Sequence, residues 1–241
     1  MHQKKVEYTK TRSNIVMKYH ISFDIDFKRN TSDGLYLAIE GIDGSGKTTQ
    51  VDRLVAELEK SGREVVRTRE PRKGVGLIGA LIEDILLGKA NVSPVAFQYL
   101  FSADRQMHHQ ELILPALKAG KVVVSDRCFW SAIPYGLLDK EEHLESNSIQ
   151  QKLVAQSILS FYHEFTVPDK TFYLDVPLDT AFERIIQGDG AEEIYEEKSK
   201  LKRAIEGYQW LLHEFPDEFT IIDANQSVEK VETEILSIVN K

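Results

Sequence analysis

The sequence predicts an α/β fold, with helices on both faces of a central parallel sheet of about five strands, and three observations predict it. The first is Gly41-Ile42-Asp43-Gly44-Ser45-Gly46-Lys47-Thr48. It fits G-x-x-x-x-G-K-[ST], a phosphate-binding loop, and it sits between an apolar run and a segment of helical period. The second is the alternation of short apolar runs with helix-patterned segments, which is the signature of βαβ units. The third is the run over residues 121–125, whose consecutive apolar and small side chains call for burial on both faces. Together they specify a three-layer α/β/α P-loop NTPase fold over 35–241, preceded by an extension over 1–34.

Bulk properties narrow the function. The 241 residues suit one such domain with a small appendage, and 42% apolar residues suffice for its core. A net charge of −8 excludes a general polyanion-binding surface, so no nucleic-acid partner is expected. No apolar run approaches the ~18 residues of a membrane span, and no membrane partner is expected. The start of the chain lacks the apolar stretch of a signal peptide. Cys128, the single cysteine, excludes an internal disulfide and fits a reducing, cytoplasmic setting.

The elements follow in order. Residues 1–19 are polar and aperiodic, and are expected to be mobile. Residues 20–27 set Ile21, Phe23, Ile25 and Phe27 against Ser22, Asp24 and Asp26. That alternation predicts an added edge strand, with a disordered tail as the alternative. A turn over 30–34 leads into the central strand, 35–39. After the phosphate loop, Val51, Leu54, Val55 and Leu58 share one helix face, which stops at Ser61-Gly62. A strand over 64–68 is closed by Arg69-Glu70-Pro71. A helix over 77–87 follows, with Ile78, Leu81, Ile82 and Ile85 inward. Ser93-Pro94 opens the next helix as N-cap and N1. It runs toward Ala119, with Pro115 kinking or restarting it. Beyond the strand 121–125 come a polar loop over 139–149, a helix over 149–165, a strand over 171–174 and a helix over 178–186. A Gly- and acid-rich lid over 187–197 leads to a helix over 198–213, a strand over 219–222 and a helix over 228–239 capped by Ser227.

In such sheets ligands gather at the carboxyl ends of the strands, and the chemistry-bearing residues fall there. Gly41, Gly44 and Gly46 let backbone N–H groups approach a triphosphate, with Ser45 and Thr49 in the same loop. Lys47 reaches the β- and γ-phosphates, and Thr48 and Asp126 are the expected holders of Mg²⁺. Arg127, Arg69 and Arg105 are anion clamps, because guanidinium forks match phosphate. Phe101 and Arg105 lie four apart on one helix face, where a ring and a guanidinium could take a planar base. Core packing for Phe101 and a surface ion pair for Arg105 are the rival readings. His108 and His109 read as surface or structural residues, and Trp130 and Trp210 as packing.

At this point the chain resembles the thymidylate kinase family, over about 200 residues from Leu35 onward. The matching pieces come in order: GIDGSGKTTQ at 41–50, TREP at 68–71, LFSADRQMH at 100–108, LPALKAG at 114–120, SDR at 125–127, Ser131 with Pro134-Tyr135, and IDA at 222–224. The resemblance implies that Asp43 contacts the nucleotide sugar and the metal shell. It implies that Phe101 stacks on thymine and that Arg105 bonds its edge. Arg127 and Tyr135 would hold the monophosphate, with Ser131 nearby; Arg69 and Pro71 would line the acceptor pocket; Asp223 would lie near the donor adenine. It further implies a homodimer that uses Mg-ATP to convert dTMP to dTDP. The acceptor is already an oxyanion, so no strong base is needed, and Lys47, Arg127 and Asp43 are the expected catalytic residues.

The chain departs from the family in four places. Position 44 is Gly and the lid has no Arg or Lys, so the transferring phosphoryl needs its positive charge from Arg184, Lys198, Lys200 or Arg203. Cys128 replaces an aromatic residue or His, and Pro134-Tyr135-Gly136 replaces Ala-Tyr-Gln. Residues 1–34 are extra. Two other readings follow: a kinase for another nucleotide or for a deoxynucleoside with Glu70 as base, and a nucleotide-binding protein of low turnover.

Overall fold

The computed structural model describes residues 7–11, 14–18, 26–138, 156–186 and 194–240. The chain opens with an antiparallel hairpin of β1 (Glu7–Thr11) and β2 (Asn14–Lys18), paired from Glu7 opposite Lys18 to Thr11 opposite Asn14. The sequence suggested no regular structure there, although Thr9, Thr11, Ile15 and Val16 are types that favour extended backbone. The edge strand expected over 20–27 lies outside the described residues up to 25. Asp26 and Phe27 are irregular, and Phe27 turns onto Phe129 and Trp130. The strand that follows, β3 (Lys28–Arg29), pairs in parallel with β7 (Thr166–Val167) and not with the central sheet. The turn over 30–34 is present: the Asn30 side chain accepts from the Ser32 N–H (3.0 Å) and donates to the Gly34 carbonyl (2.8 Å).

The central sheet contains β4 (Leu35–Glu40), β5 (Val65–Arg69), β6 (Val122–Asp126), β8 (Lys170–Asp175) and β9 (Phe219–Asp223). Its order is β5-β6-β4-β8-β9, and every pairing is parallel. Successive strand residues point to opposite faces. Both faces of β4 are covered: Tyr36 and Ala38 on one side, Leu37 and Ile39 on the other, are all buried. α1 (Lys47–Lys60) brings Val51, Leu54 and Leu58, with Val55 half-buried, and packs against α8 (Val228–Val239), which brings Val231 and Ile235. α7 (Ile194–Glu214) covers the other face with Leu201, Ala204, Tyr208 and Leu211. The register sets Ile39 and Arg69 each beside Asp126, and Asp175 beside Asp223, so the carboxyl ends form one edge.

The remaining helices are α2 (Gly76–Leu86), α3 (Pro94–His108), α4 (Leu114–Lys118), α5 (Ala132–Leu138) and α6 (Leu178–Ile186). Ser93 caps α3 by accepting from the Ala96 N–H, and Ser227 caps α8 through Lys230. Between α3 and α4 the chain makes a π-helical turn, His109–Ile113. Pro115 has no N–H to give the Glu111 carbonyl and its ring crowds that group, so the wider turn is its accommodation. In α2, Ile82 is buried but Leu81 faces solvent, against the inward expectation. The helix expected over 149–165 is described from 156; it is helical only to 159 and then gives way to turns. Tyr162 and Phe165 are drawn into the core beyond its end. The expected lid lies outside the described residues over 187–193, and residues 194–197 are already the first turn of α7.

His108 and His109 are both buried, so neither is a surface residue. His109 Nε2 accepts from the Thr166 N–H (2.8 Å), and its ring lies parallel to Phe165 with centroids 4.8 Å apart. Burial chiefly lowers its pKa to about 4, against the pull of Glu70 and aided by His108 and Lys28. In the unfolded chain it titrates near ~6.5. Between these values the unfolded state takes up a proton that the folded state refuses, so stability falls as pH drops through the window. Melting temperature followed from pH 7 to pH 4 should therefore fall more steeply for the wild type than for His109→Gln, which keeps an acceptor but does not titrate. Parallel curves would refute this assignment.

Candidate active site

The loop between β4 and α1 wraps around the end of the central strand. Gly44 has φ 77°, and a Cβ there would lie 2.3 Å from the Ala181 carbonyl oxygen of α6. That contact excludes any side chain at position 44 and explains sterically why this loop carries no arginine. Lys47 is buried and donates to the Ile42 carbonyl (2.7 Å). Burial first, then repulsion from Arg127, lowers its pKa to about 8, against the pull of Asp43, Asp126 and Glu40. The Ser45 hydroxyl is buried with no hydrogen-bond partner among the described residues, an orphan that a phosphate oxygen would satisfy. Thr48 Oγ1 donates to Asp126 Oδ2 (2.6 Å). A neutral and an anionic hard oxygen meet there, a donor set that fits Mg²⁺, which takes its other ligands from water and phosphate.

Arg127 is the hub. It follows β6 with φ 71°, a left-handed conformation unusual for a non-glycine residue and of a kind that clusters at functional sites. Its Nη1 donates to the Gly41 carbonyl (2.9 Å), Tyr208 (3.0 Å) and Ser131 (3.3 Å), and its Nη2 to Asp43 (2.6 Å) and Tyr135 (2.9 Å). It also lies 4.9 Å over the Tyr135 ring. Burial alone would lower its pKa, but Tyr135, Tyr208, Asp43 and Glu40 together hold it well above the ordinary value, so it stays charged. Asp43 responds in the opposite sense. Crowding raises its carboxyl, but the charges of Arg127 and Lys47 outweigh this and hold it at about 2.

A second cluster forms where β5 meets α3. The Glu70 N–H donates to the Asp126 carbonyl (3.0 Å), which ties the two clusters together. Glu70 is buried and accepts from Arg105 Nε (2.8 Å) while its other oxygen lies 3.0 Å from His108 Nδ1. Burial would raise its pKa, but His108 and Arg105 reverse the shift and lower it. Arg105 is a buried ion pair and not a surface one, and its Nη1 donates to Tyr162 Oη (3.1 Å). Phe101 is half-buried outside the main apolar core, its ring 4.2 Å from Phe97 and 5.7 Å from the Arg105 guanidinium. Arg69 is exposed at the end of β5, with Pro71 half-buried after it. Arg72 bonds Asp104 (3.1 Å) and pins this loop to α3.

The predicted residues thus divide three ways. Gly41, Asp43, Lys47, Thr48, Asp126, Arg127, Ser131 and Tyr135 converge. Phe101 and Arg105 sit in the adjoining cluster. Asp223 stands apart at the end of β9, where it accepts from the Asn225 N–H (2.9 Å) and lines a cleft of about 520 Å³ with Asp175, Lys202 and Glu206. Gly136 is closely covered: a Cβ there would meet Ile158 Cδ1 at 2.4 Å. Cys128 is buried, its N–H donating to Glu40 (2.8 Å). Trp130 and Trp210 do pack against the core.

Two residues that sequence reasoning passed over complete the hub. Glu40 is fully buried and accepts from Ser131 Oγ (2.6 Å), Tyr208 Oη (2.8 Å) and the Cys128 N–H. Its signal was a charged residue ending an otherwise apolar strand. Tyr208 comes from α7, which can approach because residue 207 is glycine: a Cβ there would lie 2.7 Å from Pro134 Cα. Nothing local in the sequence marks it.

Comparison with known proteins gives one family. The family model for thymidylate kinase matches residues 39–235. A thymidylate kinase of a Thermoanaerobacter species is 34% identical over 209 residues, covering 86% of this chain and 98% of that protein. One from Bifidobacterium longum subsp. infantis is 36% identical over 205 residues, 82% of each chain. One from Desulforapulum autotrophicum is 35% identical over 217 residues, covering 86% and 91%.

Proposed function

The chain belongs to the thymidylate kinase family, and from that premise we propose how its residues pass the γ-phosphoryl of ATP to the phosphate of dTMP. The observation that carries the reading is Arg127. One guanidinium bonds both the phosphate loop, at Gly41 and Asp43, and the acceptor side, at Ser131 and Tyr135. A phosphate on either side can exchange with these partners and stay within reach of the same positive charge.

Gly41, Gly44, Ser45, Gly46, Lys47, Thr48 and Thr49 hold the triphosphate, with the helix N-terminus behind them. The turn at Asp223 borders the adenine. Phe101 stacks on the base and Arg105 bonds its edge, held by Glu70 and Tyr162. Arg69 and Pro71 line the acceptor pocket, with Asp43 between the two nucleotides. Thr48 and Asp126 hold Mg²⁺, which when bound neutralises charge on the transferring phosphate. Arg184 is our candidate for the charge that the lid lacks, because its guanidinium reaches the Gly44 carbonyl (3.3 Å) and the Ala224 carbonyl (3.1 Å). The lid assignment and the division at residue 35 belong to this reading.

The acceptor needs no general base, and the site supports that. Both oxygens of Glu70 are engaged, so it is poorly placed to deprotonate a sugar hydroxyl as a deoxynucleoside kinase requires. ADP formation measured with dTMP, dUMP, dCMP, dGMP, AMP and thymidine as separate acceptors tests the reading. Selective turnover of dTMP is expected. Preference for thymidine or another monophosphate would overturn the acceptor assignment, and no turnover alongside tight ATP binding would favour the non-catalytic reading.

The same reading includes a homodimer. Val75, Leu77, Leu81, Leu86 and Leu87 on and beside α2, and Tyr99 on α3, are exposed, Leu77 by 88%. A second copy covering these exposed apolar side chains is the natural occupant. Light scattering should give twice the chain mass for the wild type and the chain mass for Leu77→Asp/Leu87→Asp; a wild-type monomer would remove the proposal. A cytoplasmic location is also part of the reading, supported by the single buried thiol, and cell fractionation checks it. Among the described residues no helix is long and apolar enough to cross a membrane.

A further inference from the structure

Residues 26–34 precede the family match, yet several contacts tie them down. β3 pairs with β7. Lys28 bonds Glu164, and Arg29 forms a fork on Glu218. Asn30 Nδ2 donates to Asp169 (2.8 Å), and the same carboxylate accepts the Tyr36 N–H (2.7 Å) of β4. Exposed ion pairs of this kind hold a register but contribute little energy. The apolar contact of the segment is Phe27, half-buried against the core. Its ring stacks on Phe129 (6.0 Å, 21°) and meets Trp130 (5.7 Å).

Those two partners lie two and three residues after Arg127. Phe129 also touches Tyr162 (5.5 Å), whose hydroxyl bonds both Arg105 and Ser102. One aromatic cluster therefore backs both arginines of the acceptor side, and Phe27 is the member supplied from outside the family match. No comparable contact of Phe27 reaches the phosphate loop among the described residues.

We propose that Phe27 is a positioning residue for the acceptor half of the site, bracing the Arg127 loop and, through Phe129 and Tyr162, Arg105. This rests on the reading of Arg127 and Arg105 as acceptor ligands. The Arg127 backbone is held at φ 71° by its surroundings, and a loop in that state is sensitive to loss of packing behind it. The segment is thus an added strap that stiffens chiefly the acceptor's site, where both braced arginines lie, while the phosphate loop keeps its own backbone and Lys47.

Steady-state kinetics of Phe27→Ala test it, with Phe27→Leu as the conservative control. KM for dTMP should rise about fivefold to tenfold, KM for ATP should stay within about twofold, and Phe27→Leu should recover most of the loss. A merely structural role would lower the melting temperature and the active fraction without separating the two KM values, and that result would overturn the proposal. Amide hydrogen exchange gives a readout independent of turnover. In Phe27→Ala, amides over 128–131 should exchange faster while those over 44–48 stay unchanged; unchanged exchange over 128–131 would also overturn it. If the wild type fails to use dTMP, the acceptor assignment fails, and the exchange result still decides the brace.

Discussion

Lys47→Ala is expected to lower kcat by about 10³-fold, because it removes a fixed positive charge from the place where the transferring phosphoryl gathers charge. The fold should survive. Burial and Arg127 already lower the Lys47 pKa to about 8, so at neutral pH the folded protein carries this ammonium at a cost. Removing it relieves that cost while giving up one hydrogen bond to Ile42 and the 3.6 Å ion pair with the exposed Asp43. The melting temperature should therefore stay within a few degrees. The sign of the pH dependence also follows. Above pH 8 the unliganded wild type loses the proton, so kcat/KM for ATP should decline there. The variant should lack that decline. Turnover unchanged by the substitution would refute the assignment of the phosphate loop.

Much of this site could be read from the sequence because its spacing is local. A motif of eight residues that runs from the end of a strand into the first turn of a helix fixes where Lys47 and Thr48 go. A polar residue at the end of an apolar strand fixes Asp126, and the two meet at 2.6 Å. Phe101 and Arg105 share a helix face for the same reason. What could not be read depends on long-range pairing. Glu40 and Tyr208 lie 168 residues apart in the chain, and their bond exists because a glycine lets α7 close onto Pro134. Arg105 has the residue type of a surface cation, and only the fold shows Glu70 and Tyr162 around it. The boundary errors have a similar origin. The helix predicted to reach 165 ends at 159, where the core takes Tyr162 and Phe165, a tertiary demand that helical periodicity does not express.

Arg127→Lys separates charge from geometry, and it should cost nearly as much as losing the charge outright. An ammonium has three donors on a flexible stem, whereas the guanidinium here serves five acceptors with two nitrogens. With Lys in its place, several of Gly41 O, Asp43, Tyr135, Tyr208 and Ser131 lose a donor; Tyr208 and Ser131 keep Glu40 and Asp43 can turn to water, but a buried acceptor left unpaired costs about 1–3 kcal/mol. The melting temperature should fall by roughly 5 °C or more for a chain of this size. Asp43, at about 2 in the wild type chiefly against crowding and because of Arg127 and Lys47, should keep its charge but lose its anchor. Catalysis should suffer more than stability. The same group is proposed to hold the acceptor phosphate and to neutralise the migrating phosphoryl, so kcat/KM for dTMP should drop by about 10³-fold. KM for ATP should change far less, since the loop backbone and Lys47 remain. A Lys variant with near wild-type kcat/KM for dTMP would show that charge alone suffices and that the five-acceptor geometry around Arg127 is scaffolding.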